Sequence, residues 1–128
     1  MGKQYLIDSN SVIDYMAGVF PPPGMEFMNK IIDDIPVISV ITKIEILGFK
    51  TTQEAGSLMI HFVEDSMVIG LADEIVEKTI ELRKDHKIKI PDAIIASTAL
   101  LNEFCLISRN EKDFKDIKGL VCINPYKI

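Results

Sequence analysis

The sequence is short of cysteine and lacks the cysteine and histidine spacings that are typical of zinc sites. Its two cysteines, Cys105 and Cys122, lie in separate apolar stretches and form no CxxC motif. This favours two buried free thiols in a reducing compartment over a disulfide or a zinc site. The two histidines, His61 and His86, fall within or at the end of amphipathic helical patterns, where a surface or core role is favoured for both.

Long apolar runs are also missing. No stretch approaches the ~18 consecutive apolar residues of a membrane span, and the N-terminal segment reaches Asp8 without a basic and apolar leader. We therefore expect a cytoplasmic protein with no membrane partner. No internal repeat, low-complexity segment or interdomain linker is visible, and 48% hydrophobic residues in a chain of 128 predict a single domain over residues 1–128.

Basic residues are too few for electrostatic binding of nucleic acid over a broad surface. The chain has 19 acidic and 14 basic side chains, for a net charge of −5. Proteins that neutralise many phosphates have the opposite balance. A nuclease stays possible if several acids converge on bound cations, because the cations change the charge of the site.

Apolar patterns alternate between strands and helices along the chain. The predicted strands are residues 4–7, 36–40, 67–71, 104–108 and 120–123. The predicted helices are residues 10–18, 25–34, 42–49, 53–64, 72–86 and 91–103, with the second following the rigid PPPG segment at 21–24. Short apolar strands separated by helices indicate an α/β fold with a mostly parallel sheet covered on both faces.

Four acidic residues occupy positions where such a fold binds ligands. In open parallel sheets, ligands lie beyond the carboxyl ends of the strands. Asp8 ends the first predicted strand, Glu45 lies one helical turn after the second, and Asp113 follows the fourth. Asp92 opens an apolar helix. The sequence therefore places four carboxylates where they can meet.

Helix capping is the competing interpretation for each acid. The segment TKIE, residues 42–45, has the pattern of a capping box, and NEKD, residues 110–113, has Asn110 as a suitable N-cap. Asp8 and Asp92 are equally natural at helix starts. Taken singly, none of the four acids identifies a site.

Apolar neighbours distinguish two of these acids. Asp8 follows Leu6 and Ile7, and Asp92 precedes Ala93 and Ile94, so both carboxylates are expected at the edge of the core. Carboxylates brought together there repel one another, and a divalent cation relieves that repulsion. Oxygen-only ligands favour Mg²⁺ or Mn²⁺, and they disfavour zinc.

The ordered motifs resemble the PIN domain, and most closely the VapC-type ribonuclease toxins of bacterial toxin–antitoxin pairs. The resemblance covers essentially the whole chain. It rests on YLIDSNSVIDYM, SVITKIEILG, KIKIPDAIIASTALL, LISRNEKDF and VCINP, in that order.

This resemblance implies a three-layer α/β/α domain with a central, mostly parallel sheet of four to five short strands, and metal-dependent endonucleolytic cleavage of RNA. Carried over position by position, it assigns catalysis and metal binding to Asp8, Glu45, Asp92 and Asp113, with one or two Mg²⁺ or Mn²⁺ ions per site. It also implies a homodimer and a VapB-like antitoxin partner. The glycine often found before the fourth strand is missing, and Asn102 is expected to take the left-handed turn instead.

Substrate contacts are predicted from polar and basic residues near these acids. The candidates for binding RNA are Ser9, Asn10, Lys43, Arg109 and Asn110. Asn10 fits the N-cap of the first helix equally well. The basic run at residues 83–89 could steer RNA, but a charged run that ends a helix is more often a solvated face.

Three other functions compete with a toxin endoribonuclease. A PIN nuclease of RNA processing would use the same acids, although the small chain without an added RNA-binding domain favours the toxin. A catalytically silent PIN-like interaction module would be expected to have lost an acid, and all four positions are filled. A receiver-like signalling domain lacks its paired acids after the first strand.

Overall fold

The computed structural model describes residues 3–128 and arranges five strands in one parallel sheet. The strands are short and apolar, as the β-branched runs predict. They are Tyr5–Ile7 (β1), Val37–Ser39 (β2), Met67–Ile69 (β3), Cys105–Ile107 (β4) and Cys122–Ile123 (β5).

The strand order is β3-β2-β1-β4-β5, and every neighbouring pair is parallel. The chain builds outward from β1 to β3 and then returns to the other side of β1 with β4. This reversal creates a crevice at the carboxyl ends of β1 and β4, which is where open α/β sheets bind ligands. The register pairs Ile7 with Ile107, so the residues after both strands emerge side by side.

Seven α-helices connect and follow the strands within residues 3–128, with a short 3₁₀ turn near the C-terminus. The helices are Ser9–Ala17 (α1), Pro22–Asp33 (α2), Val40–Leu47 (α3), Gln53–Glu64 (α4), Asp73–Asp85 (α5), Ile90–Leu101 (α6) and Glu111–Phe114 (α7), and the turn is Pro125–Lys127.

Alternate residues of the strands point to opposite faces of the sheet. Ile7 and Ile107 pack with buried residues of α1 to α4, whereas Leu6 and Leu106 pack with buried residues of α5 to α7. The period of two is inherent in a strand, and it gives each face its own core. The predicted three-layer α/β/α arrangement with a parallel sheet is confirmed.

The start of α2 corrects one sequence prediction. The helix was expected to begin at Met25, after the PPPG segment, but it begins at Pro22 with Pro21 as its N-cap. Proline is well tolerated in the first helical turn, since the N–H that it lacks would have no partner there. The proline run therefore starts the helix.

The amphipathic helices leave part of their apolar stripes exposed. Leu58 of α4 is 55% exposed, and Ile80 of α5 is 47% exposed, with Val76 beside it on the surface. Ile75 and Leu82 of α5 are buried. Helical spacing identifies a broad apolar stripe, but the width that the sheet covers depends on packing.

The turn between α6 and β4 differs from the expectation. Glu103, rather than Asn102, has the positive φ, at 57°. Asn102 stays at φ −100° and ends α6, with its side-chain amide donating to the Thr98 carbonyl. This hydrogen bond holds Asn102 in place, so the next residue makes the turn.

Both cysteines are free, but they are half-buried rather than buried as predicted. Burial raises the pKa of the Cys122 thiol to about 11, with Glu111 and Asp8 adding to the rise. The thiol is therefore protonated near neutral pH, and its nucleophilicity is low. No helix among residues 3–128 is long and apolar enough to cross a membrane.

Candidate functional site

Asp8 lies at the crevice between β1 and β4, and its side chain is 4% exposed. It caps α1, with Oδ1 accepting from the Ser9 backbone N–H at 2.8 Å. Oδ2 accepts from the Ser108 hydroxyl at 2.9 Å and from the Asn10 amide at 3.2 Å. The carboxylate is thus held in one orientation by groups from both strands' ends.

Burial raises the pKa of Asp8 above its usual range. The hydrogen bonds from Ser108, Ser9 and Asn10 stabilise the charged form and oppose the rise, whereas the negative charge of Glu45 adds to it. A buried carboxylate with a neighbouring negative charge is the environment in which a bound cation is most stabilising.

Asn10 links the ends of β1 and β4. Its amide donates to Asp8 Oδ2 and to Ser108 Oγ, both at 3.2 Å, while its Oδ1 accepts from the Arg109 backbone N–H at 3.2 Å. The N-cap interpretation of Asn10 is wrong, since Asp8 caps α1. Asn10 orients the groups around Asp8, and its predicted contact with substrate stays a prediction.

Glu45 reaches the same region from α3. Its Oε1 accepts from the Ser9 hydroxyl at 2.9 Å, and the side chain is exposed. The capping-box interpretation of Glu45 is wrong. Helix α3 begins at Val40 with Ser39 as its N-cap, so Glu45 lies in the second turn.

Thr42, the predicted cap of that helix, is fully buried instead. Its hydroxyl has no hydrogen-bond partner within the part of the chain that the structure describes. Ser39 supplies the cap, with its Oγ accepting from the Ile41 N–H at 3.1 Å. The helix thus starts directly at the end of β2.

Asp92 lies in the first turn of α6 and is half-buried. Its pKa is raised, first by burial and then by the negative charges of Asp8, Asp113 and Glu45, in that order, while Lys89 lowers it. The other three sequence-predicted acids therefore all act on the Asp92 carboxylate. Asp92 thus combines a first-turn position in α6 with a cluster of acids, while Lys89 occupies the N-cap and no side chain makes a capping hydrogen bond.

The four acids are neighbours without forming a closed cage. Asp113 is exposed on α7, and it lines the same groove as Asp92. Among residues 3–128, no three histidine, cysteine or carboxylate side chains already surround one point at metal-binding distance. The arrangement is an open acidic crevice with ligands supplied from separate elements.

Arg109, a predicted substrate contact, is engaged with other residues. Its Nη1 donates to Asp14 Oδ2 at 2.9 Å, and the Tyr126 hydroxyl donates to the same oxygen at 2.9 Å. These hydrogen bonds join α1, the β4–α7 loop and the C-terminal turn.

The other two substrate candidates lie at the surface. Lys43 is exposed on α3, two residues before Glu45. Asn110 precedes α7 without a side-chain capping bond, and its backbone N–H donates to Ser108 Oγ at 3.1 Å. Their roles stay predictions.

The sequence interpretation left Ser108 outside the site, although its hydroxyl is central to it. Ser108 is fully buried, and it contacts Asp8, Asn10 and the Asn110 N–H. The available signal was its position directly after β4, which matches that of Asp8 after β1. A small hydroxyl there suits the crevice because it donates to a carboxylate and accepts from an amide together.

Replacing Ser108 with alanine is expected to destabilise the protein by about 1–3 kcal/mol, because the Asn110 N–H and the Asn10 amide lose a shared acceptor. Loss of its donor bond to Asp8 should also raise the Asp8 pKa further. Chemical denaturation measures the change. Ser57→Ala, on the exposed face of α4, is the matched control and should change stability by no more than about 0.5 kcal/mol.

Both the sequence and the fold of this chain match those of known proteins. The sequence model described as "PIN domain" matches residues 5–120. A chain of a toxin–antitoxin complex from Klebsiella pneumoniae is 30% identical, with a TM-score of 0.79, covering 98% of this chain and 100% of that one. A search of curated proteins found no match.

Two more distant structures share the fold. A chain of VapBC-1 from nontypeable Haemophilus influenzae is 24% identical with a TM-score of 0.74, covering 94% of this chain and 97% of that one. A chain of VapBC2 from Rickettsia felis, bound to a DNA fragment from its promoter, is 22% identical with a TM-score of 0.75 and the same coverage of both chains.

Proposed function

Because the chain belongs to the PIN domain family, we propose that it is a metal-dependent endoribonuclease and the toxin of a toxin–antitoxin pair. The family membership supports a nuclease, and the 30% identity to a chain of the Klebsiella toxin–antitoxin complex supports the toxin. The carrying observation is the convergence of Asp8, Glu45, Asp92 and Asp113 at one crevice, where burial and then the other three acids raise the pKa of Asp92.

The donor chemistry of the crevice fits a hard divalent cation. Asp8, Glu45, Asp92 and Asp113 offer carboxylate oxygens, which Mg²⁺ and Mn²⁺ prefer. A closed cage is not required, since Mg²⁺ usually keeps several waters and binds through one or two carboxylates. Asp8 and Asp92 are the proposed principal ligands because they are the most desolvated, and Asp113 and Glu45 complete the site.

A bound divalent cation would acidify a water molecule and stabilise charge on the scissile phosphate. The chain's own groups set the geometry around it. Ser108, Ser9 and Asn10 fix the two oxygens of Asp8. The Ser9 hydroxyl also holds Glu45 toward the crevice, where it can orient a water for attack on phosphorus.

The proposed partners are RNA as substrate, a VapB-like antitoxin, and a second copy of the chain. The antitoxin is suggested by structural neighbours solved as toxin–antitoxin or VapBC complexes. Its gene should lie beside that of this chain and encode a small DNA-binding protein. Co-expression followed by co-purification tests the pairing, and a PIN nuclease of RNA processing would lack such a neighbour.

The activity test combines RNA cleavage with metal binding. Purified protein is expected to cut RNA with Mg²⁺ or Mn²⁺ and not with EDTA, and either ion should raise the thermal midpoint since it binds only the folded crevice. Sequencing the RNA ends identifies the target. Metal binding without cleavage of transfer, ribosomal or messenger RNA would contradict the nuclease, and absence of metal binding would favour a silent interaction module.

A further inference from the structure

A groove beside the acidic crevice has a basic wall. It has a volume of about 380 Å³ and lies between the end of α5, the α5–α6 loop and the start of α6. Arg83, Lys87 and Lys89 supply the basic side chains of its lining, here called the basic wall, and Asp92 and Asp113 supply the acidic ones. The groove therefore continues directly from the proposed metal site into a positively charged surface.

The two lysines of this wall have no carboxylate partner. Within residues 3–128, neither Lys87 nor Lys89 has a carboxylate oxygen within 4.0 Å of its ammonium, whereas Arg109 pairs with Asp14 at 2.9 Å. Lys127 also has its own partner, Glu111, at 2.7 Å. Among these basic residues, the two groove lysines keep their charge available for a ligand.

Lys89 borders the acidic crevice, since it lines the same groove as Asp92 and Asp113. Both Lys87 and Lys89 are exposed, as the solvated-face interpretation of residues 83–89 expects, and their place in this groove also brings them beside the acids.

The loop that carries the lysines is held at both ends. Arg83 Nη1 donates to the Ile88 carbonyl at 2.8 Å, and the His86 N–H donates to the Leu82 carbonyl at 2.9 Å. Lys89 is the N-cap of α6, followed by Pro91 in the first turn. Arg83 thus has a structural contact of its own, and it presents the lysines on a preorganised segment.

We infer that Lys87 and Lys89 bind a backbone phosphate of single-stranded RNA next to the scissile phosphate. The inference rests on the proposed nuclease function. With a net charge of −5, the protein attracts RNA only through local positive surfaces, and this wall is the one that borders Asp92. Backbone contacts position a strand without reading its sequence, so these lysines would set the register of cleavage and not the target.

Lys87→Gln and Lys89→Gln are expected to weaken binding of labelled single-stranded RNA, by up to about fivefold each for exposed ion pairs. Fluorescence anisotropy with Ca²⁺ in place of Mg²⁺ measures this without turnover. The slope of log affinity against log salt should fall by ~0.7 for each lost phosphate contact. In cleavage assays KM should rise with little change in kcat, and Lys87→Arg should restore binding.

Lys84→Gln is the matched control, since Lys84 is an exposed lysine of the same helix and lines apolar and acidic surfaces away from Asp92. It should bind RNA as the unmodified protein does. All variants should keep the Mg²⁺-induced rise in thermal midpoint.

The outcomes separate this inference from the proposed function. Unchanged RNA affinity and salt slope in the Lys87→Gln Lys89→Gln double variant of an active nuclease would overturn the inference and leave the function intact. Lysine-dependent RNA binding by a protein that cuts no RNA would overturn the nuclease, and with it the position next to a scissile phosphate, while the phosphate contact itself would stand. Absence of any RNA binding by the unmodified protein would overturn both.

Discussion

Replacing Asp92 with asparagine is expected to abolish RNA cleavage and to weaken Mg²⁺ or Mn²⁺ binding by at least about a hundredfold. Loss of groups that only orient metal ligands typically costs about 10–100-fold, and Asp92 is a proposed ligand itself. Asparagine keeps the size of the side chain but removes the charge that binds the cation. The carboxylate is the one on which the other three acids act.

The same substitution should leave the metal-free protein at least as stable. The raised pKa of Asp92 shows that burial and the neighbouring acids outweigh the favourable position at the helix start. A carboxyl with a raised pKa binds more protons folded than unfolded, so its stabilisation is present at low pH and is lost as the pH rises through the folded-state pKa. The metal-free unmodified protein should therefore lose stability as the pH rises from about 4, the ordinary aspartate pKa, toward neutrality.

Thermal unfolding with EDTA and with Mg²⁺, across that pH range, tests both effects. The thermal midpoint of Asp92→Asn should depend less on pH than that of the unmodified protein, and it should rise little when Mg²⁺ is added. Asp73→Asn is the matched control, because Asp73 is an exposed acid in the first turn of α5. Full RNA cleavage by the Asp92→Asn variant would rule out the proposed metal site.

Replacing Gly24 with alanine is expected to destabilise the protein by about 2 kcal/mol or more. Gly24 is buried in α2, and a Cβ there would clash with the Pro125 carbonyl, with the carbonyl carbon only 3.0 Å away. Overpacking typically costs about 1–3 kcal/mol, and here the obstacle is backbone. The gain in helix propensity, about 1 kcal/mol, only partly offsets it.

Replacing Gly56 with alanine is expected to have the opposite effect on the stability of the protein. Gly56 lies inside α4, where a new Cβ meets only the Thr51 methyl at 4.0 Å, so stability should rise by up to about 1 kcal/mol. Denaturant unfolding of both variants measures the contrast. Equal stability of Gly24→Ala and the unmodified protein would show that the C-terminal turn does not pack on α2 as described.

Local chemistry explains which features were predictable from sequence. The apolar β-branched runs give five strands, and Gly18, with φ 68°, ends α1 where the pattern predicted. The residues after strands are then placed by sheet geometry, which is why Asp8 was predicted at the crevice. These features depend on neighbours along the chain, and neighbours are visible in the sequence.

Other features depend on contacts between distant segments. The N-cap of α3 is Ser39 and not Thr42, the predicted residue, because the helix continues directly from a buried strand. Arg109 pairs with Asp14 of α1, whose carboxylate accepts a hydrogen bond from its guanidinium. A sequence pattern offers several equivalent hydrogen-bond partners for each group, and it cannot rank them by distance.

The sequence by itself determined the alternation of strands and helices, and with it the sheet edge at which the acids gather. Only the tertiary structure decided that Ser108 and Asn10 fix Asp8, that Asp92 bears the repulsion of three acids, and that two lysines without ion-pair partners border them. The physical reason is range. Strand and helix preferences act over a few residues, whereas hydrogen bonds and charge repulsion at the crevice join segments as much as 100 residues apart.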